Sequence, residues 1–306
     1  MLGNQVALIR RELWEHRSLY VVPAVLGIIV VLIQMTVQTA VSVFDTHIDM
    51  ALLGATNIGP NERGAIISAL LSGFSIVFVI VMLVLIGFYT LDSLYAERKD
   101  KSILFWRSMP VTDTETVLSK LLTALFVIPV ITLAAIAATH ILILFVTSVW
   151  VGMRGASAWH LIWSAAPLFD TWSATSIFVV ALTLWMSPFV AWFLLVSAYT
   201  NRSPLLMAIL PLIVLPLLEK ILLKSTILAD ALMSKSAVHM PIFKNVDLET
   251  LVNKETLTIA AENGISLLSM LDVGRFVSSP SLWLGLVVCG LLTTAAMYVR
   301  RFRDEN

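Results

Sequence analysis

Five histidines, one cysteine and 20 acidic residues are the side chains of this 306-residue chain that could bind a metal, attack a carbonyl or move a proton. Their spacing supports none of those chemistries. His16, His47, His140, His160 and His239 stand singly. Cys289 has no second cysteine with which to form an intrachain disulfide or a paired-thiolate site, so it reads as a packing residue. No GxxxxGK[ST] phosphate loop, HExxH helix or GxSxG elbow occurs, which predicts a chain without its own ATPase site, catalytic residues or metal site. The chemistry on offer is instead that of a docking surface. Between Asp92 and Lys120 a dense charged and aromatic stretch, Tyr95-Ala-Glu-Arg-Lys-Asp-Lys-Ser-Ile-Leu-Phe-Trp-Arg-Ser-Met-Pro-Val, interrupts an otherwise apolar sequence. A loop that only turned the chain in water would not spend Phe105, Trp106 and Met109 where something apolar must cover them.

The elements that must position this stretch follow from composition. With 58% hydrophobic residues, 13% charged residues and a mean hydropathy of +0.91, the chain lies far outside the soluble range. A net charge of zero argues against nucleic acid as a partner. A bilayer core needs about 20 apolar residues per helix, and six stretches are long enough: 19–43, 65–94, 121–150, 174–199, 205–223 and 281–299. The expected fold is an all-α membrane protein with six transmembrane helices, forming a single domain over residues 1–306. The first stretch is longer than a signal peptide core and no small-residue cleavage site ends it, so it is expected to be retained.

Lysine and arginine bias predicts orientation. With both termini cytoplasmic, the inner segments carry Arg10, Arg11, Arg17, Arg98, Lys99, Lys101, Arg107, Lys120, Arg202, Arg300, Arg301 and Arg303, which is 12 of the 20 basic residues. The two short outer loops carry Arg63 and Arg154. The long outer segment, 224–280, balances its five basic residues with six acidic ones. Trp150, Trp159, Trp163, Trp172 and Trp283 then fall at the outer interface, and Trp14 and Trp106 at the inner one.

Around the spans, Val6, Ile9 and Leu13 recur at helical spacing with Arg10, Arg11, Glu12 and Glu15 on other faces, predicting an amphipathic interfacial helix over residues 1–18. A plain basic flank that sets topology is the other reading. In the connecting region, 95–120, Pro110 ends a short element near 102–108, and Thr112 to Glu115 fits a capping box that starts the next helix. Leu251, Leu257, Ile265, Leu268 and Leu271 alternate with charges and predict short extracytoplasmic helices before the last span, which Ser279 and Pro280 would open.

Inside the spans, Gln34, Gln38 and Ser42 step by four along the first, and Ser68, Ser72 and Ser75 step by four and three along the second. Facing each other or a dimer axis they could line a substrate path; hydrogen bonding and close packing between helices would use the same residues. His140 lies well inside the third span, either as a functional group or as a neutral imidazole bonded to a neighbouring helix. Ala134 and Ala138 read as packing residues. Pro188, Pro211 and Pro216 would kink the fourth and fifth spans.

Taken together, the Glu97 to Val111 run, the amphipathic start, the six spans and the outer segment resemble the permease subunit of a bacterial type 2 ABC exporter over nearly the whole chain. The resemblance implies two such subunits, as a homodimer or heterodimer, in the bacterial inner membrane, each bound to a separate ABC ATPase subunit that supplies ATP and Mg. Arg98, Asp100, Phe105, Trp106, Arg107, Met109 and Pro110 would form the ATPase-coupling interface, with the two aromatics and Met109 as an apolar peg. Gln34, Gln38, Ser68, Ser72 and His140 would mark the substrate path. Three other readings remain: an interfacial element whose aromatics dip into membrane lipid, a nontransporting scaffold or sensor that tethers a cytoplasmic protein, and an ion-driven secondary transporter, which the scarcity of ionisable residues in the spans disfavours.

Overall fold

The computed structural model describes residues 2–44, 58–100, 111–244 and 266–302, and every element of regular structure in them is helical. Helix α1 (Leu2–Glu15) precedes α2 (Ser18–Phe44), followed by α3 (Pro60–Lys99). Helix α4 (Asp113–Leu122) runs through a π-helical turn (Thr123–Val127) into α5 (Ile128–Met153). Then come α6 (Leu168–Tyr199), α7 (Pro204–Leu222), α8 (Ile227–Ser234), α9 (Val273–Ser278) and α10 (Pro280–Phe302). Six of these units are long and apolar enough to cross a membrane: α2, α3, α4 with α5, α6, α7 and α10. This is the all-α, six-span architecture expected from the apolar runs.

Local chemistry explains the boundaries. Thr112 accepts the Glu115 amide at 3.2 Å while the Glu115 carboxylate takes the Thr112 amide at 3.1 Å, closing the capping box that starts α4. Pro129 has no amide hydrogen to give and its ring crowds the carbonyl four residues back. The chain answers just before it with a π turn, in which the Ile128 amide reaches back five residues to the Thr123 carbonyl. Pro60, Pro204 and Pro280 each open a helix at its first residue, where the missing donor costs nothing. Pro188 lies inside α6, and Pro211 and Pro216 inside α7.

Helix α6 is the axis of the bundle, with α10 and α3 packed along it and α2 packed on α5. Burial ranks them: 56% of the apolar window of α6 is buried against 6% of that of α7, whose only buried residue is Ala208. The core centres on Met82, Ile86, Ile128, Val179, Leu182 and Trp185. Gly27 lets α2 close on α5, because a Cβ there would sit 2.6 Å from the Thr139 hydroxyl.

Helices α6 and α10 are level where a Cβ on Gly285 would lie 3.3 Å from Pro188. Hence α6 continues for roughly 22 Å beyond the start of α10, at 1.5 Å per residue. The described parts of the segment between α7 and α10 pack alongside this extension. Phe243 stacks on Phe178 with centroids 5.9 Å apart, Phe276 meets Trp185 at 6.1 Å, and Asp170 accepts the amides of Leu267 and Leu268 at 2.8 and 3.3 Å. Lys235 lies over the Trp185 ring at 4.1 Å and donates to the Ser281 carbonyl. A segment expected simply to carry outer helices thus contributes Met240, Ile242, Leu271 and Phe276 to the main core. The helical pattern read over 247–265 lies outside the described residues. Beyond it, a 3-10 turn at Leu268–Met270 leads into α9, whose first turn is capped by Asp272 on the Arg275 amide.

At the end of the bundle opposite α1, a Cβ on Gly64 would lie 2.8 Å from the backbone oxygen of Ala165. Backbone cannot swing aside as a side chain can. Gly64→Ala is therefore expected to destabilise the bundle by about 1–3 kcal/mol, read as a lower melting temperature of the detergent-purified protein; an unchanged melting temperature would refute this close approach.

Candidate functional site

The end of the bundle that carries α1 holds a cluster of buried charges. Glu12 and Lys120 are both fully buried, and Glu97 and Arg300 are each 6% exposed. The Lys120 ammonium donates to both Glu12 oxygens, at 2.9 and 3.1 Å, and lies 3.0 Å from Glu97 Oε1. Arg11 Nη2 reaches Glu12 at 2.8 Å and Glu97 at 2.7 Å, while its Nε lies 3.3 Å from Glu15. Arg300 completes the set, with Nη1 on Glu97 Oε2 at 2.7 Å and Nε on Asp113 at 3.0 Å. The Tyr89 hydroxyl gives Glu12 a further bond at 2.9 Å.

Two buried carboxylates therefore face three cations drawn from three different elements, and each carboxylate accepts from three donor groups, which comes close to saturating its lone pairs. Burial alone would push the Glu12 carboxyl up. The Lys120 ammonium and the Arg11 guanidinium overcome that effect and hold it below the ordinary value of 4.5. Glu12, Glu15 and His16 also bring three ligand-type atoms within 4.8 Å of one another. The Glu12 oxygens are already engaged by Lys120, Arg11 and Tyr89, so ion pairing accounts for this grouping.

The cluster ties α1 (Arg11, Glu12), α3 (Tyr89, Glu97), α4 (Asp113, Lys120) and α10 (Arg300) into one junction. It also brackets residues 101–110. Glu97 lies just before that segment and Asp113 just after it, and a single guanidinium holds both. Phe105, Trp106, Arg107, Met109 and Pro110 fall within 101–110 and lie outside the described residues. Asp100 is exposed at the C-terminal cap of α3. Arg98, expected at a partner interface, donates from Nη2 to the carbonyls of Ser197 and Thr200, both at 2.6 Å, where it neutralises the C-terminal end of α6.

Helix α1 follows its apolar stripe only in part. Leu8 and Glu12 are its buried residues, whereas Val6 and Trp14 are 66% and 65% exposed. Ile9 and Leu13 are half-buried, with Leu13 against the main core, so the inward face of α1 is mixed: Leu8 and Leu13 pack beside Glu12, whose pairing with Lys120 and Arg11 is satisfied there while Val6 stays outside. Arg10 covers Trp14 at 4.8 Å.

The intramembrane polar residues fall into two groups. His140 is buried on α5, and its Nδ1 accepts the Trp172 indole N–H at 3.2 Å. An indole only donates, so the His140 proton sits on Nε2, which faces the Ser75 hydroxyl at 3.3 Å; that hydroxyl in turn donates to the Leu71 carbonyl. Gln38 donates to Thr147, also on α5, at 2.9 Å, about two helical turns from His140. Gln38 of the first stripe and Ser75 of the second thus both address α5. Ser68 bonds the Ala65 carbonyl within its own helix, and Gln34 and Ser72 are half-buried.

Sequence reading treated Arg11, Lys120 and Arg300 as topology charges and missed that they converge. The available signal was Glu97 and Lys120 flanking the connecting region from inside apolar helices. It also missed Arg63, buried at the other end with its guanidinium on the His160 carbonyl at 2.8 Å. No protein-family model, curated protein or solved structure matches the chain.

Lys120→Met should strand Glu12 and cost about 3–5 kcal/mol, whereas Lys120→Met with Glu12→Leu should recover part of the loss; melting temperatures of the two variants test this, and a double variant weaker than the single one would contradict it. Because the folded Glu12 carboxyl lies below its unfolded value, its contribution is complete above about pH 4.5 and fades as pH falls through the folded value. Protease nicking near α1 should accordingly rise with acidification below pH 4.5 in the wild type, and Glu12→Gln should flatten that dependence.

Proposed function

We propose that this chain is the permease subunit of an ATP-driven exporter, in which a separate ABC ATPase subunit drives conformational change through the segment between α3 and α4. The observation that carries the reading is the ion cluster bracketing that segment. A push on 101–110 acts on Glu97 and Asp113, and the cluster passes it to α1 and α10 as well as to α3 and α4. Separating any of these helices would expose or strand a buried charge, so they are held to move together.

In this reading α1 lies along the inner face of a bacterial plasma membrane, with Trp14 and Val6 turned to lipid and both termini in the cytoplasm. The basic residues around the cluster are those that bias loops to that side. Phe105, Trp106 and Met109 supply the apolar peg, since burying an aromatic side chain contributes on the order of 2 kcal/mol. ATP and Mg belong to the ATPase. A second permease subunit, identical or homologous, completes the pathway, and the largely uncovered α7 is the span with most surface left to give to it or to lipid.

The test is purification of the full chain under mild detergent followed by reconstitution with its copurifying ATPase. An ABC-type ATPase should copurify, and Trp106→Ala should leave ATP hydrolysis measurable while reducing coupled export at least about tenfold. Retention of coupled export by Trp106→Ala would remove the peg. Absence of any nucleotide-hydrolysing partner would favour a scaffold instead.

A further inference from the structure

One turn and a half above Glu97, the first residue of α2 and the fifth span leave a cavity of about 320 Å³ between them, open at the side of the bundle. Its walls are apolar, from Leu19, Leu85, Leu91 and Leu205, and aromatic, from Phe88, Tyr89 and Tyr95. Phe88 is 61% exposed and Leu205 45%, so the opening faces the surroundings of the helices and not the bundle interior. The charged residue in the lining is Asp92, which is exposed and makes no hydrogen bond or ion pair with another described residue.

The other polar groups do not compensate it. Tyr95 gives its hydroxyl to the Arg202 carbonyl at 2.6 Å, and Tyr89 gives its own to Glu12. His16 stands edge-on to Tyr89, with centroids 5.1 Å apart, and its Nε2 lies 3.9 Å from the Glu12 carboxylate. Among the described residues, no lysine or arginine lines the cavity. Exposed as it is, Asp92 keeps its water, yet it places a negative charge on the same helix face as Phe88 and Tyr95, whose rings themselves attract cations.

We infer that this cavity is a binding site for an amphiphilic organic cation, with the ammonium held between Asp92 and the aromatic rings of Phe88 and Tyr95 and the apolar body lying along Leu19, Leu85 and Leu205. The site takes its ligand from the membrane side. As a station from which cargo is loaded it rests on the exporter reading; as a binding site it does not.

The probe is monodansylcadaverine, which joins an apolar fluorophore to a primary ammonium. Binding is followed by fluorescence anisotropy to the full-length protein in phosphatidylcholine nanodiscs, with no nucleotide and no ATPase. Saturable binding is expected, weakened about tenfold by Asp92→Asn and about threefold by Phe88→Ala. The uncharged dansyl-pentylamide analogue should bind weakly and equally to wild type and Asp92→Asn. No described residue pairs with Asp92, so Asp92→Asn should keep the wild-type melting temperature, which separates loss of binding from loss of fold.

Equal binding of charged and uncharged probes, or no effect of Asp92→Asn, would overturn the site. Phosphatidylethanolamine added to the discs should leave wild-type binding in place; if it abolished binding in wild type, the occupant would be the lipid headgroup amine and the proposal would fall. Failure here leaves the exporter reading untouched, because the assay involves neither hydrolysis nor transport. Conversely, a bound cation in a chain with no ATPase partner would sink the exporter and keep the site.

Discussion

Lys120 and Glu12, both without solvent exposure, impose the constraint from which the rest of this end of the molecule follows. Taking either charge out of water costs several kcal/mol, and their attraction offsets that cost only if the remaining hydrogen-bonding positions are also filled. Arg11, Tyr89 and Glu97 fill them. Each of these residues belongs to a helix with its own reason to be where it is, so the demand for partners becomes a demand on helix register. Glu97 must stand level with Lys120, and α1 must turn its Glu12 face inward although that leaves Val6 and Trp14 outside. Arg300 then fixes the end of the last helix against the same carboxylate. A hydrophobic contact tolerates a slip of an ångström; a buried ion cluster with bonds of 2.7–3.1 Å does not.

The opposite end is organised by size and shape. There α6 outruns α10, and the exposed length of an apolar helix has to be covered by protein or lipid. The segment leading from α7 to α10 covers it with aromatic rings and anchors itself through Asp170, whose two oxygens take consecutive amides of a 3-10 turn. The arrangement explains why α6 is the most buried span although most of the others are more apolar: its mean hydropathy of 2.1 is below the 2.9 of α3 and the 2.3 of α7. Position in the bundle, not apolarity, decides burial among membrane helices, because every span is apolar enough for lipid.

That distinction also separates what could be read from sequence from what could not. The six spans were legible because the bilayer sets a length that apolar runs either meet or miss. The capping box at Thr112 and Glu115 and the start of the last helix at Pro280 were legible because they are local. The inward face of α1 was legible only in part: Leu13 of the apolar stripe packs on the core, but the burial of Glu12 beside it depends on the distant Lys120. Likewise Arg98 looks like a surface charge until the end of α6 is placed beside it, and Gln38 and Ser75 look like two lining stripes until α5 is found between their targets. The π turn before Pro129 was available in principle, since a proline inside a helix must displace a bond somewhere. Interactions across 65 to 203 residues of chain leave no trace in spacing.

The cluster and the cavity beside it share two residues, and this sets a limit on how independent they can be. Tyr89 presents its ring to the cavity and its hydroxyl to Glu12; His16 lines the cavity and lies against both Tyr89 and Glu12. A displacement of α3 relative to α1 large enough to break the 2.9 Å bond from Tyr89 would alter the cavity wall in the same movement. Reciprocity requires the converse: whatever fills the cavity and fixes Tyr89 biases the position of α3, and with it Glu97 and the segment that follows. A bundle whose charged junction and lateral cavity meet at Tyr89 and His16 ties any displacement at the cavity wall to Glu97, about 12 Å further along α3 at 1.5 Å per residue.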